Sequence, residues 1–145
     1  MNIFDELKTD HDKQRALLDN LSDTQGDEAE RRTQFNVLKA QLQAHATAEE
    51  RYFYSPLINN DSTVDLSRHG IAEHHEIDEL IETIEQTDMS SPAWLQHLKS
   101  LKHKVLHHLE DEEQGFFQQA GKVLSTQQKS ELGSDYRLEM DQQGI

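Results

Sequence analysis

Nine histidines and 28 acidic side chains occur in a chain with no cysteine, so metal chemistry here must run on imidazole and carboxylate. Two histidines are followed four residues later by a glutamate, His45 by Glu49 and His108 by Glu112. On a helix that spacing puts both side chains on one face, about 6 Å apart at the backbone. The pair suits one shared metal ion or a carboxylate bridging two. His11 and His74 stand in a fixed relation to these pairs. A shift of 63 residues lays His11 on His74, His45 on His108 and Glu49 on Glu112. The same shift lays Glu50 on Glu113, Phe53 on Phe116 and Tyr54 on Phe117. The apolar positions follow: Leu17, Leu18 and Leu21 fall on Leu80, Ile81 and Ile84, and Phe35, Leu38 and Leu42 on Leu98, Leu101 and Val105. The two halves are copies of one helical pair.

Positioning these residues takes four long helices. Two prolines, six glycines and an abundance of Leu, Glu, Gln, Lys and Ala make a helix composition. Periodic segments run from about Ile3 to Leu21, Glu28 to Tyr54, Val64 to Gln86, and from the Ser90-Ser91-Pro92 start to about Ala120. Ser125 and Gln128 have capping-box spacing and open a shorter fifth helix. Short polar connections between long helices imply antiparallel neighbours. The expected fold is all-α: an up-down-up-down four-helix bundle over residues 1–122, with a C-terminal helix and tail over 123–145.

Helical angles place His11 among Phe4, Leu7, Leu18 and Leu21, and His74 among Ile71, Ile77, Ile81 and Ile84. His45 and Glu49 fall on the stripe of Phe35, Leu38, Leu42 and Phe53. His108 and Glu112 fall on that of Trp94, Leu98, Leu101, Val105 and Leu109. Each helix thus aims one histidine at the bundle axis, and two add a glutamate. A carboxylate in an apolar interior costs several kcal/mol unless compensated, and a dication compensates it. Four imidazoles and two bridging carboxylates give three protein ligands per ion for two ions. Water or a small exogenous ligand would complete the shells. His69, His75, His97, and the face of His103, His107 and Asp111, read as solvated. Asp78, one turn after His74, is open between an outer partner and an extra ligand. Tyr52, Phe53, Tyr54, Phe116 and Phe117 read as a packing layer beside the site.

Other classes lose ground on composition. A net charge of -14 repels phosphate backbones and anionic lipid, so neither nucleic acid nor a membrane is expected as a partner. The chain lacks the roughly 20-residue apolar run of a membrane span. Met1-Asn2-Ile3-Phe4-Asp5-Glu6 has neither the basic nor the apolar region of a secretory signal, which leads us to expect a cytoplasmic protein. No protein partner is defined by the sequence.

The pattern His11…His45-x-x-x-Glu49…His74…His108-x-x-x-Glu112, with the supporting segments His45–Glu50, Glu73–Leu80 and His108–Glu113, resembles the hemerythrin-like HHE cation-binding domain family over residues 3 to 120. The resemblance implies a non-haem, oxo- or hydroxo-bridged di-iron (Fe–O–Fe) centre. In it His11, His45, His74 and His108 are terminal ligands and Glu49 and Glu112 bridges. Manganese or zinc would suit the same donors. Where oxygen-carrying hemerythrins have a further histidine in the third helix, this chain has Asp78. Glu112 follows His108 by four residues, where the carriers place an aspartate at longer spacing. Both departures point away from simple oxygen carriage and leave binding or sensing of dioxygen, nitric oxide or peroxide as the expected role. Iron sensing or storage, and a regulatory interaction module whose fold depends on metal occupancy, stay open. No catalytic residue and no organic-substrate pocket is defined, so a di-iron redox enzyme ranks last.

Overall fold

A computed structural model describes residues 1–145 as helices joined by short links, with no strand. Helix α1 spans Ile3–Ser22 and starts at Asn2, whose side chain accepts from the Asp5 amide while Asp5 returns the bond in a capping box. Helix α2 spans Ala29–Glu49, α3 Val64–Glu85 and α4 Pro92–Asp111. Ser91 caps α4 by accepting from the Ala93 amide, and Pro92 occupies the first turn. Helix α5 spans Thr126–Gln142 and opens on the Ser125–Gln128 capping box expected from the sequence. The turn before α2 passes through Gly26 at φ 56°, which a side chain would strain.

The second and fourth helices are not uniform. After Glu49 the chain opens into a π-helical turn over Glu50–Tyr54 before a last short turn, Ser55–Leu57. After Asp111 a second π turn covers Glu112–Phe116, and Phe117–Gly121 follows. The sequence reading treats both stretches as plain α-helix. The wider turn occurs where two successive glutamates must both reach inward, since regular α geometry would point them about 100° apart. Such local widenings are frequent at functional sites.

Apolar residues form two clusters at different heights. One holds Leu18, Leu38, Ile81, Trp94, Leu98 and their neighbours. The other holds Ile3, Leu7, Phe53, Tyr54, Tyr136 and Met140 among others. Along every helix of the bundle the inward polar residues lie between them. One end of the bundle is tied by Arg31. Its guanidinium donates to Thr24 Oγ1 at 2.9 Å and to the Met89 carbonyl at 2.8 Å, and lies 4.5 Å over the Trp94 ring. At the other end α5 packs on α1 and α2. The approach is close: a Cβ on Gly133 would stand 2.7 Å from the Asn2 carbonyl carbon, so any larger residue would push α5 outward. No helix is long and apolar enough to cross a membrane.

Candidate metal centre

The polar layer gathers all six of the inward residues read from the sequence. His11 is 0% exposed, His45 3%, Glu49 0%, His74 5%, His108 2% and Glu112 0%. Their donor atoms fall into two groups that share Glu49. His11, His45, Glu49 and Glu112 form one and Glu49, His74 and His108 the other, each with donors within 4.8 Å of one another. Glu49 Oε1 stands 3.6 Å from His45 Nε2, 3.0 Å from His74 Nε2 and 3.8 Å from His108 Nε2. Glu112 Oε1 stands 3.3 Å from both His11 Nε2 and His108 Nε2.

Every imidazole is held from behind. His11 Nδ1 bonds Glu113 at 2.7 Å, His74 Nδ1 bonds Glu50 at 2.8 Å and His108 Nδ1 bonds Glu73 at 2.8 Å. Carboxylates only accept, so Nδ1 carries a hydrogen, and Nε2 is the nitrogen that faces the interior and can offer a lone pair to an ion in place of a proton. His45 is the exception in partner but not in result. Its Nδ1 lies 2.6 Å from the Tyr136 hydroxyl, which donates to Asp10 Oδ2 at 2.5 Å and therefore accepts from His45. The internal repeat explains the difference, since Asp10 occupies the place of Glu73 under the 63-residue shift. Aspartate is one carbon shorter, and the phenol from α5 spans the gap to the imidazole.

All four imidazole Nε2 atoms, both Glu49 oxygens and Glu112 Oε1 are buried without a hydrogen-bond partner. Orphaned buried polar atoms are rare in native proteins. Seven gathered in two adjoining groups, four of them turned inward by bonds on the far side of the ring, fit a cation held among them.

The charges fit the same picture. Burial opposes protonation of His11, but Glu112 and Glu113 outweigh it and raise its pKa to about 9. His74 is likewise carried to about 9, burial being overcome by Glu49 and Glu50. His108 is raised well above its usual value despite burial, through Glu112, Glu49 and Glu73. His45 moves the other way: burial, with His11 and His74 close by, holds it well below the ordinary range. Its backing partner is a neutral phenol, so it has no carboxylate at Nδ1 to favour the charge. Burial pushes Glu49 up, but the His108 and His74 imidazoles close beside it more than reverse this and keep it ionised.

Tyr54 donates to Glu112 Oε2 at 2.5 Å, so it reaches the site and does more than pack beside it. Burial and the nearby Glu112 and Glu49 keep its phenol protonated. Gly70 makes room for that ring, since a Cβ there would lie 2.1 Å from Tyr54 Cζ. Asp78 stays at the exposed rim, outside both donor groups. The outer acids Glu50, Glu73 and Glu113 and the Tyr136–Asp10 pair were not read from the sequence as partners of the histidines. The repeat carries their signal, because the acids at 50 and 113, and at 10 and 73, recur in register. A cavity of about 10 Å³ adjoins His45, His74 and His108 between Gln14, Leu42 and Ile77. That is about the room one water needs.

Known proteins share this fold and this stretch of sequence. A protein from Mycobacterium kansasii containing a Hemerythrin HHE cation binding domain has a crystal structure that matches this fold with a TM-score of 0.89. The match covers 99% of this chain and 87% of that one at 23% identity, and so speaks for the fold. A protein of a Nostoc species, described as a DNA nickase, is 26% identical over 137 residues; the match covers 94% of this chain and 38% of the Nostoc protein's length. The Hemerythrin HHE cation binding domain itself matches residues 2–120, the stretch that carries all six buried donors. The chain belongs to the Hemerythrin HHE cation binding domain family.

Proposed function

We propose that His11, His45, Glu49, His74, His108 and Glu112 hold two iron ions, and that the centre binds or senses a small molecule such as dioxygen, nitric oxide or peroxide. The observation that carries this reading is the set of seven partnerless buried donor atoms converging from four helices. Two donor groups sharing Glu49 suit two ions better than one. The bound iron would supply redox and ligand-binding chemistry. The protein's part is to present four neutral Nε2 atoms, to fix each ring through Nδ1, and to leave a small pocket beside His45, His74 and His108 for a guest.

Protein purified without a histidine tag should contain two iron ions per chain. Loading it without oxygen and then admitting air should produce charge-transfer bands in the near ultraviolet. A spectrum indifferent to air and to nitric oxide would remove the gas-binding reading and leave cation binding in place. Iron analysis giving zinc or manganese in its stead would overturn the choice of metal.

A regulatory reading draws on Tyr136. Because a residue of α5 fixes His45, occupancy of the centre and docking of α5 support each other. Tyr136→Phe removes the acceptor for His45 Nδ1 with almost no change of volume. Loss of such an outer partner lowers metal affinity by about 10- to 100-fold, and competition with a chelator measures it. Wild-type affinity in Tyr136→Phe would show that the phenol is packing alone. The Nostoc relative brings in a third reading, DNA nicking. A net charge of -14 opposes contact with DNA, and conversion of supercoiled plasmid by the metal-loaded protein decides it.

A further inference from the structure

Glu73 serves two neighbours at once. Its Oε1 accepts from His108 Nδ1 at 2.8 Å and stands 3.4 Å from Nε2 of His69, one turn earlier on α3. Asp111, at the end of α4, completes a His69–Glu73–Asp111 set whose donor atoms all lie within 4.8 Å of one another. His107 stands at the margin, its Nε2 3.7 Å from Asp111 Oδ2. The Phe116 ring packs edge-on against His69 at 5.8 Å between centroids, which orients the imidazole. Read from the sequence alone, His69, His107 and Asp111 lie on solvated faces; folding brings two of them onto a buried carboxylate.

The internal repeat shows what such a carboxylate takes. Under the 63-residue shift Glu73 corresponds to Asp10 and His69 to Glu6. On that side of the bundle Glu6 and Asp10 grip the guanidinium of Arg137 from α5, with Asp10 Oδ2 3.1 Å from its Nη2. Each half also has a flanking ammonium, Lys13 at 3.5 Å from Asp10 and Lys104 at 3.5 Å from Glu73. The two lysines are not counterparts under the shift, which lays Lys13 on Glu76 and Lys104 on Gln41, and Lys104 also pairs with Glu76. The α3–α4 face offers no guanidinium there, and the side chains of His69 and His107 are 57% and 59% exposed. Where one half binds an organic cation with two carboxylates, the other presents imidazole with carboxylates, the donor mix that suits a borderline divalent metal ion.

We propose that His69, Glu73 and Asp111, with His107 at the edge, form a separate outer site for a divalent transition-metal ion, joined to the buried centre through the Glu73–His108 bond. The site does not depend on which ions the interior holds. Cobalt(II) is a suitable probe, added to the intact protein as purified, with its resident metal counted before and after. One additional cobalt per chain is expected, with visible d–d bands reporting nitrogen and oxygen donors. His69→Ala and Asp111→Asn should each weaken this binding about tenfold or more and leave the resident metal content unchanged, since neither touches the six inner donors. His103→Ala serves as the exposed-histidine control. Absence of additional cobalt at submillimolar concentration would overturn the proposal. So would cobalt binding that survives the His69→Ala/Asp111→Asn double variant. Failure of the iron assignment is read separately, from the resident metal count.

Discussion

Glu49→Gln is expected to cost the protein both ions, with metal content near zero after purification and affinity down more than about 100-fold, beyond the loss typical of an outer partner. Glu49 is the only residue common to the two donor groups. Both of its oxygens lack a partner, and Oε1 faces His45, His74 and His108. Glu112 is more committed, since one of its oxygens already takes the Tyr54 hydroxyl. An amide keeps the shape of the side chain but removes the charge that neutralises a cation and offers one oxygen in place of two. The variant should still fold, because burying a neutral amide is easier than burying an ionised acid. Metal analysis with a circular dichroism spectrum separates the two outcomes. Full metal content in folded Glu49→Gln would sink the shared-bridge assignment, whereas His107→Ala should keep its inner metal.

Removing the metal should make stability fall as pH rises. Without an ion, protonated imidazoles compensate the buried acids. His11 and His74 have pKa values of about 9 against an ordinary 6.5. A raised folded-state pKa contributes stability that is fully present below 6.5 and is lost as pH climbs through about 9. Each shift corresponds to a contribution on the order of 3 kcal/mol. Metal-stripped protein should therefore melt several degrees lower at pH 9 than at pH 6.5. Loaded protein should melt higher and change little over that window, because the cation has taken the protons' place. Apparent metal affinity should rise over the same interval, as fewer protons compete for Nε2. Thermal melts with and without chelator across this range provide the measurement. A stripped protein that gains stability with rising pH would show that these histidines carry no proton in the fold.

The four long helices and the inward set of six were legible because a polar residue inside an apolar stripe is costly and therefore informative. The 63-residue repeat turned two ordinary His-x-x-x-Glu pairs into a pattern. What stayed hidden lies one layer out. Glu73 stands one turn before Ile77, on the inner side of its helix, yet only the packing of α3 on α4 shows that it meets His108, 35 residues away. Tyr136 belongs to the i, i+4, i+8 series Leu132, Tyr136, Met140 that packs on the bundle, but that spacing does not say which side chain its hydroxyl meets. Its use follows from the missing carbon at Asp10, a detail that matters only once distances are known. The π turns escaped for a related reason: residue periodicity reports the average helix and not a single widened turn. Asp78 went the other way. Its spacing from His74 is right for a ligand, but it lies on the exposed rim, and a spacing gives an angle around one helix without the tilt of that helix to its neighbours.

The reach from Tyr136 to His45 has a further consequence for where this protein can be cut. The family match ends at residue 120, and a chain stopped there would keep every one of the six donors. It would also lose the hydroxyl behind one imidazole and the guanidinium held between Glu6 and Asp10. His108 is braced within its own hairpin by Glu73, His11 and His74 are braced crosswise by Glu113 and Glu50, and His45 alone depends on α5, which follows the other four helices in the chain. During synthesis the centre is therefore fully framed only once the C-terminal helix has emerged and folded back across the first.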